Sequence, residues 1–262
     1  MKPGRAPAPR PGRARRAPLV IGHRGAPAHA PENTLASFER ALGDGADWIE
    51  CDVRLTADDA PIILHDATLD RTTDGRGPAA ALPLARVLRL DAGSWYGSRF
   101  RGERVPTLQE VLALLDGRAG VNLELKTEDE GPKVRPAQVR LALAVEAVIA
   151  AARFRGPIVL SSFSRPALEA ARAVMPRARL GLLASRSTRG LPAAHRALGL
   201  FSFHPHARLA TTSRLATARR LGLRLLVWGA DDLQLASRFR ALAVDGVMAD
   251  DPGGLRRALA AS

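Results

Sequence analysis

The sequence predicts an α/β protein folded as a TIM-type (β/α)8 barrel with a small insertion after the second strand. Three observations carry that prediction. Short apolar runs alternate with stretches of helical periodicity eight times in about 245 residues. The polar residues able to do chemistry recur where those runs end, the face of such a barrel on which sites are built. No GxGxxG opens a helix, which leaves a doubly wound sheet as the weaker alternative.

Taken in order, the chain opens with Lys2, Arg5, Arg10, Arg13, Arg15 and Arg16 among Pro, Ala and Gly, without an acid. Residues 1–17 are therefore expected to form a disordered basic tail, and 18–262 the barrel. The first strand is the apolar run from Ala17 to Gly22. Gly25, Pro27 and Pro31 turn the chain, and Leu35, Phe38, Ala41 and Leu42 follow at helical spacing behind Asn33 or Thr34 as cap. Residues 48–53 read as the second strand, and 61–66 as a short extra one. From 67 to 106 the pattern is irregular, rich in Gly, Asp, Arg and Thr, with a weak helix at 82–88; this is the insertion. A helix at 107–115 is stopped by Gly117 and Gly120. Strands are then expected at 121–125, 158–162, 180–184, 200–204, 223–228 and 245–249. Helices are expected at 137–152, 165–174, 192–198, 213–221, 233–242 and 253–260.

Composition narrows the function classes. With 46% apolar residues the chain is globular. Six units of its +13 net charge sit in the tail, aromatics are 4%, and no zinc-finger spacing occurs, so a nucleic-acid platform is not expected. No apolar segment of a secretory signal follows the basic start, and no run of about 18 apolar residues could span a membrane. The single cysteine, Cys51, has no internal partner and reads as a small buried hydrophobe. A cytoplasmic protein without stable membrane insertion is expected; its oligomeric state is left open.

The strand ends supply His23, Arg24, Glu50, Asp52, Glu124, Lys126, Ser161, Ser162, Trp228 and Asp250, with His65 ending the extra strand. Glu50 and Asp52 are two apart and so point to one face; Glu124 and Lys126 repeat the spacing. Converging carboxylates repel unless a cation lies among them, and oxygen ligands without Cys favour Mg2+ or Ca2+. Pairing of each acid with an arginine is the alternative. His23 and His65 can exchange protons near neutral pH. Arg24 and Lys126 suit an anion such as phosphate. His29, His195 and His206 read as structural or exposed, and His204 is ambiguous. Without a P-loop, nucleoside triphosphate hydrolysis is disfavoured.

The set His23-Arg24-Gly25, Pro31-Glu32-Asn33-Thr34, Glu50-x-Asp52, His65-Asp66 and Leu69-Asp70-Arg71-Thr72-Thr73 resembles the bacterial glycerophosphodiester phosphodiesterase family. Leu123-Glu124-Leu125-Lys126, Ser162-Phe163, Trp228, Asp245-Gly246-Val247, Asp250 and Pro252 extend the resemblance, in order, over residues 19–258. It implies a TIM barrel hydrolysing glycerophosphodiesters to sn-glycerol 3-phosphate and an alcohol with one bound divalent cation, Mg2+ or Ca2+. By motif, Glu50, Asp52 and Glu124 would hold the metal. His23 and His65 would be the general acid and base, Arg24 and Lys126 would bind phosphate, and Trp228 would pack near the glycerol. The resemblance also implies attack by the glycerol 2-hydroxyl, through a cyclic phosphate that water opens. Asp231 and Ala249 depart from the family pattern, where an amide and a threonine are frequent. Glu32 is expected to orient Arg24 by an ion pair, and residues 31–34 otherwise only to start the first helix.

Two rival readings remain. Trp95, Tyr96 and Phe100 lie close together in the insertion, a feature suited to lysophospholipase D action on lipid-bearing substrates. A non-catalytic barrel that binds phosphodiesters, anchored by the basic tail, is the other; a mere binder would not need both histidines.

Overall fold

The computed structural model describes residues 17–127 and 135–261; the expected tail lies outside them, apart from Ala17. Eight parallel strands close into a barrel: β1 (Leu19–His23), β2 (Trp48–Leu55), β4 (Gly120–Leu125), β5 (Ile158–Ser162), β6 (Leu180–Ala184), β7 (Ser202–Pro205), β8 (Arg224–Val227) and β9 (Gly246–Ala249). β1 pairs with both β9 and β2, which closes the ring. The short β3 (Pro61–Ile63) is antiparallel to β2 and stands outside it. The barrel strands are followed by α1 (Leu35–Gly43), α3 (Leu108–Leu115), α4 (Pro136–Ala152), α5 (Arg165–Val174), α6 (Leu191–Leu198), α7 (Thr212–Arg220), α8 (Ala236–Ala241) and α9 (Pro252–Ala260). The one-turn α2 (Leu84–Val87) lies between β3 and α3.

Alternation along each strand separates two environments. On β2, Ile49, Cys51 and Val53 join the main core between barrel and helices, while Glu50 and Asp52 take the interleaved positions and face inward. Inside the barrel, Ile21, Leu226 and Met248 make an apolar plug flanked by Trp48 and Trp228. Local chemistry starts the helices where the loops arrive: Thr34 caps α1, Thr107 and Glu110 form a capping box on α3, and Ser164, Thr211 and Asp251 cap α5, α7 and α9.

Several expected elements differ at their ends. β3 stops at Ile63 rather than 66: the edge of β2 that it pairs with at Val53–Leu55 is held by β1 at Trp48–Glu50, and the His65 carbonyl accepts from the Arg54 guanidinium instead (2.9 and 2.7 Å). Residues 233–242 begin as a 3-10 turn at Leu233–Leu235, set by the Asp232 side chain accepting from the Gln234 N–H. The strand expected at 200–204 lies at Ser202–Pro205. Residues 64–106 hold short helical turns around a core of their own, in which Ile62, Leu64, Leu69, Ala79, Val87, Ala92 and Val105 pack.

Candidate active site

The chain leaves β1 through a turn that only certain residues allow. A Cβ on Gly22 would stand 2.4 Å from the Gly25 carbonyl oxygen, and one on Gly25, at φ 92°, would stand 2.4 Å from Ser37 Oγ. Between them Arg24 is left-handed at φ 52°, as is Asn33 at φ 58°. Such conformations persist only when surroundings over-determine them. Here the Arg24 N–H donates to Glu50 (2.9 Å), and its carbonyl accepts from the Asn33 N–H (3.0 Å) and Ser37 Oγ (3.1 Å). The Asn33 side chain donates to Asp52 (2.8 Å), so residues 31–34 touch the site as well as starting α1.

Register then assembles the acids. Glu50 lies beside His23 across the β1–β2 pair, and Asp52 beside Glu124 across β2–β4. One oxygen from each of Glu50, Asp52 and Glu124 lies within 4.8 Å of the others, and all three residues are buried. Lys126 Nζ reaches Glu124 at 2.9 Å and Asp52 at 3.5 Å, while Arg24 Nε lies 3.3 Å from Asp52. Burial and the charge of Asp52 push Glu50 up to about 8, and the same two causes raise Glu124. Burial works to raise Asp52 as well, but Lys126 and Arg24 outweigh it and hold it down to about 2. Three carboxylates crowded this closely, with Asp52 Oδ1 lacking any hydrogen bond, fit a hard cation of the Mg2+ or Ca2+ kind.

Each histidine is anchored by a carboxylate. His23 Nδ1 lies 2.7 Å from Asp250 Oδ1, and His65 Nδ1 lies 2.6 Å from Asp66 Oδ1. An ionised carboxylate only accepts, so Nδ1 carries the proton in both rings and Nε2 is left for the cavity that both line. The two environments differ. Burial opposes the charge on His23, yet the bond to Asp250 and the charge of Glu50 raise it to about 9. Burial prevails over Asp52 at His65 and lowers it.

That cavity is lined by His23, Arg24, Glu50, His65, Asn122, Glu124 and Lys126, with Phe163, Leu183, Trp228 and Met248 as its apolar side. Trp228 packs edge-to-face on Phe163 (5.5 Å) and His206 (4.5 Å) and donates Nε1–H to the His204 carbonyl. The sequence-predicted residues His23, His65, Arg24, Lys126, Trp228, Glu50, Asp52 and Glu124 thus meet around one cavity, Asp52 through its contacts with Arg24 and Lys126. Ser162 instead shapes the turn after β5, donating to the Leu125 carbonyl and accepting from the Ser164 N–H. His204 is buried against Ser202, and burial lowers it to about 3, so it stays neutral. A second grouping of His29, Asp44 and Asp251 has its carboxylates already engaged by Arg40, His29 and the Gly254 N–H.

Sequence reasoning reads Asp66 and Arg71 only as motif positions, Asn33 only as a candidate helix cap, and Asp250 as a strand-end residue without a partner. Asp66 has a signal in its place beside His65, and Asp250 has one in its position after a strand. Arg71 has none. Glu32 does pair with Arg24, at 2.9 Å.

A closed barrel whose mouth joins two carboxylate-anchored histidines to an acidic pocket, Arg24 and Lys126 has the groups that hydrolysis of a phosphoric diester needs. The chain belongs to the glycerophosphoryl diester phosphodiesterase family, whose sequence profile matches residues 23–254. It is 35% identical over 238 residues to a glycerophosphodiester phosphodiesterase of Caldanaerobacter subterraneus, covering 89% of this chain and 94% of that one. Among solved structures, an Oleispira antarctica phosphodiesterase in complex with the product sn-glycerol-3-phosphate superposes with a TM-score of 0.86. It is 32% identical, over 93% of this chain and 97% of that one. An Agrobacterium tumefaciens glycerophosphodiester phosphodiesterase gives 0.78 at 31% identity, over 92% and 99%. The expected family, barrel and enzyme class are all borne out by these likenesses. Among the described residues, no helix is long and apolar enough to cross a membrane.

Proposed function

We propose that this chain hydrolyses glycerophosphodiesters to sn-glycerol 3-phosphate and an alcohol, with His23 and His65 as acid and base beside one divalent cation, Mg2+ or Ca2+. The observation that carries this reading is the shared cavity: two histidines, each fixed through Nδ1, face the pocket that Glu50, Asp52 and Glu124 build.

Glu50, Asp52 and Glu124 would hold the cation, and what it supplies when bound is polarisation of a phosphoryl oxygen. Arg24 and Lys126 stand where cationic donors can take further phosphate oxygens. The histidine roles follow from their surroundings. His65, lowered and neutral, accepts the proton of the glycerol 2-hydroxyl as that oxygen attacks phosphorus. His23, raised and charged, donates a proton to the departing alcohol oxygen as its bond to phosphorus breaks. The product of that step is a cyclic phosphate. Water then opens it with the roles reversed: His23 takes a proton from the water and His65 returns one to the 2-oxygen. Trp228, with Phe163, offers a flat apolar wall for the glycerol carbons.

A second reading has support in the rim. Phe163 is 38% exposed at the cavity and Trp95 is 42% exposed in the stretch before α3, so apolar surface is available to a lipid chain. A coupled assay of glycerol 3-phosphate release tests the primary reading. Run on glycerophosphocholine, it is expected to show turnover well above choline release from lysophosphatidylcholine. Faster reaction of the lysophospholipid would favour lysophospholipase D action instead.

A further inference from the structure

Arg71 belongs to none of the helices or strands and lies in the stretch that follows β3. Its guanidinium nevertheless makes four short contacts with two carboxylates. Nη1 and Nη2 donate to the two oxygens of Glu32, at 2.7 and 2.8 Å. Nε and Nη2 donate to the two oxygens of Asp66, at 2.6 and 3.1 Å. Each of those carboxylates has a second donor, on an oxygen that it shares with Arg71 Nη2. Glu32 Oε1 accepts from Arg24 Nη1 at 2.9 Å, and Asp66 Oδ1 accepts from His65 Nδ1 at 2.6 Å.

We infer that Arg71 is a positioning residue that locks the proton-accepting histidine and the phosphate-facing arginine into one frame, through the line His65–Asp66–Arg71–Glu32–Arg24. The inference rests on the function proposed above for the two end groups; the line itself rests on the distances.

Each carboxylate is held by two donor residues, so neither can swing without losing a short contact. Arg71 holds the Asp66 carboxyl well below the usual range, which keeps Asp66 an acceptor for His65 at any pH of interest. Burial works to raise Glu32, but Arg71 and Arg24 outweigh it and lower it. A planar fork can meet both oxygens of each of two carboxylates, as Arg71 does; a lysine offers its donors from a single nitrogen. Remove the fork and the side chains that orient His65 and Arg24 each lose one of their two supports. A misplacement of about 1 Å at reacting groups costs on the order of 10²-fold in rate.

The test uses the full chain and three variants, Arg71→Ala, Arg71→Lys and Asp66→Asn, with Arg71→Ala/Asp66→Asn as the double variant. Arg71→Ala is expected to lower kcat for glycerophosphocholine by roughly 10- to 100-fold. Inorganic phosphate should bind several-fold more weakly as Arg24 loosens. The melting temperature should change little, because half-exposed ion pairs contribute little to stability. The double variant should lose no more than the worse single variant, as members of one line do. Arg71→Lys should recover only part of the rate.

A readout independent of turnover is the titration of His65 by ring-nitrogen NMR. The groups acting on it are Asp52, Arg24, Lys126 and Asp66. With Arg71 gone, Asp66 has no competing cation and draws the proton to His65 more strongly, so His65 should titrate at higher pH. A merely structural Arg71 would lower the melting temperature and leave the His65 titration, phosphate affinity and kcat per folded molecule unchanged, and that result would overturn the inference. So would additive losses in the double variant, or full recovery by Arg71→Lys. If no substrate turns over but the His65 and phosphate readouts still move, the frame stands and the proposed function falls.

Discussion

At the scale of single residues, the proposed mechanism puts His23 and His65 at opposite ends of a proton transfer, and their surroundings shift them in those opposite directions. His23 has Asp250 and the acidic wall, and its raised value of about 9 keeps it charged at neutral pH. His65 is lowered by burial and stays neutral. A base must be unprotonated, so kcat/KM should fall only as pH drops through the lowered value of His65, below the usual 6.5. An acid must be protonated, so the other limb should fall as pH rises through the raised value of His23. Asp250→Asn removes the carboxylate that supports the charge, so the upper limb should move to lower pH while the lower limb stays. A pH–rate profile checks both; an upper limb indifferent to Asp250 would contradict the assignment. His23→Ala and His65→Ala should each lower kcat at least roughly 10²-fold. Near-wild-type turnover in either would remove that histidine from the chemistry.

Elements explain why so much of the site is legible in the sequence and where legibility ends. Barrel strands announce themselves as apolar runs, and strand geometry alone gives Glu50 and Asp52, or Glu124 and Lys126, a common face from their two-residue spacing. What a strand end points at is another matter. Asp250 reaches His23 across 227 residues of sequence, and Arg71 reaches Glu32 across 39. No periodicity marks either contact, because loop geometry sets it. The apolar pattern overstates β3 for a similar reason, since it does not show that β1 already holds the same edge of β2 at Trp48–Glu50. The β1–α1 turn is the element on which the site depends most. Gly25→Ala would put a methyl 2.4 Å from Ser37 Oγ at a φ of 92°, displacing Arg24 and the first turn of α1. A cost of about 1–3 kcal/mol in urea unfolding is expected, with a larger fractional loss of activity than of stability. Unchanged stability and rate would mean that the turn does not constrain the site.

Over the whole molecule, the closed ring of parallel strands separates an apolar outer shell from an interior that combines an apolar plug with buried polar groups, and those polar groups carry a cost. His204 sits fully buried with Nδ1 unpartnered. Its value of about 3 in the folded protein lies below the usual 6.5. As pH falls below 6.5 the unfolded chain takes up a proton that the folded chain refuses, so stability is complete above that pH and declines toward 3. The slope should be about 1.4 kcal/mol per pH unit from this group alone. His204→Gln should flatten the decline in denaturant titrations between about pH 6 and 4; the same slope in both proteins would show that other groups govern acid unfolding.

The claim on which all of this converges is that one acidic pocket, two histidines and a divalent cation together release glycerol 3-phosphate. The most direct measurement is that release from glycerophosphocholine by the full chain, first after exhaustive EDTA treatment and then with Mg2+ or Ca2+ restored. Loss of turnover on chelation and recovery on add-back is the predicted result, with Glu50→Ala failing to recover. Undiminished glycerol 3-phosphate release from the chelated protein would contradict it.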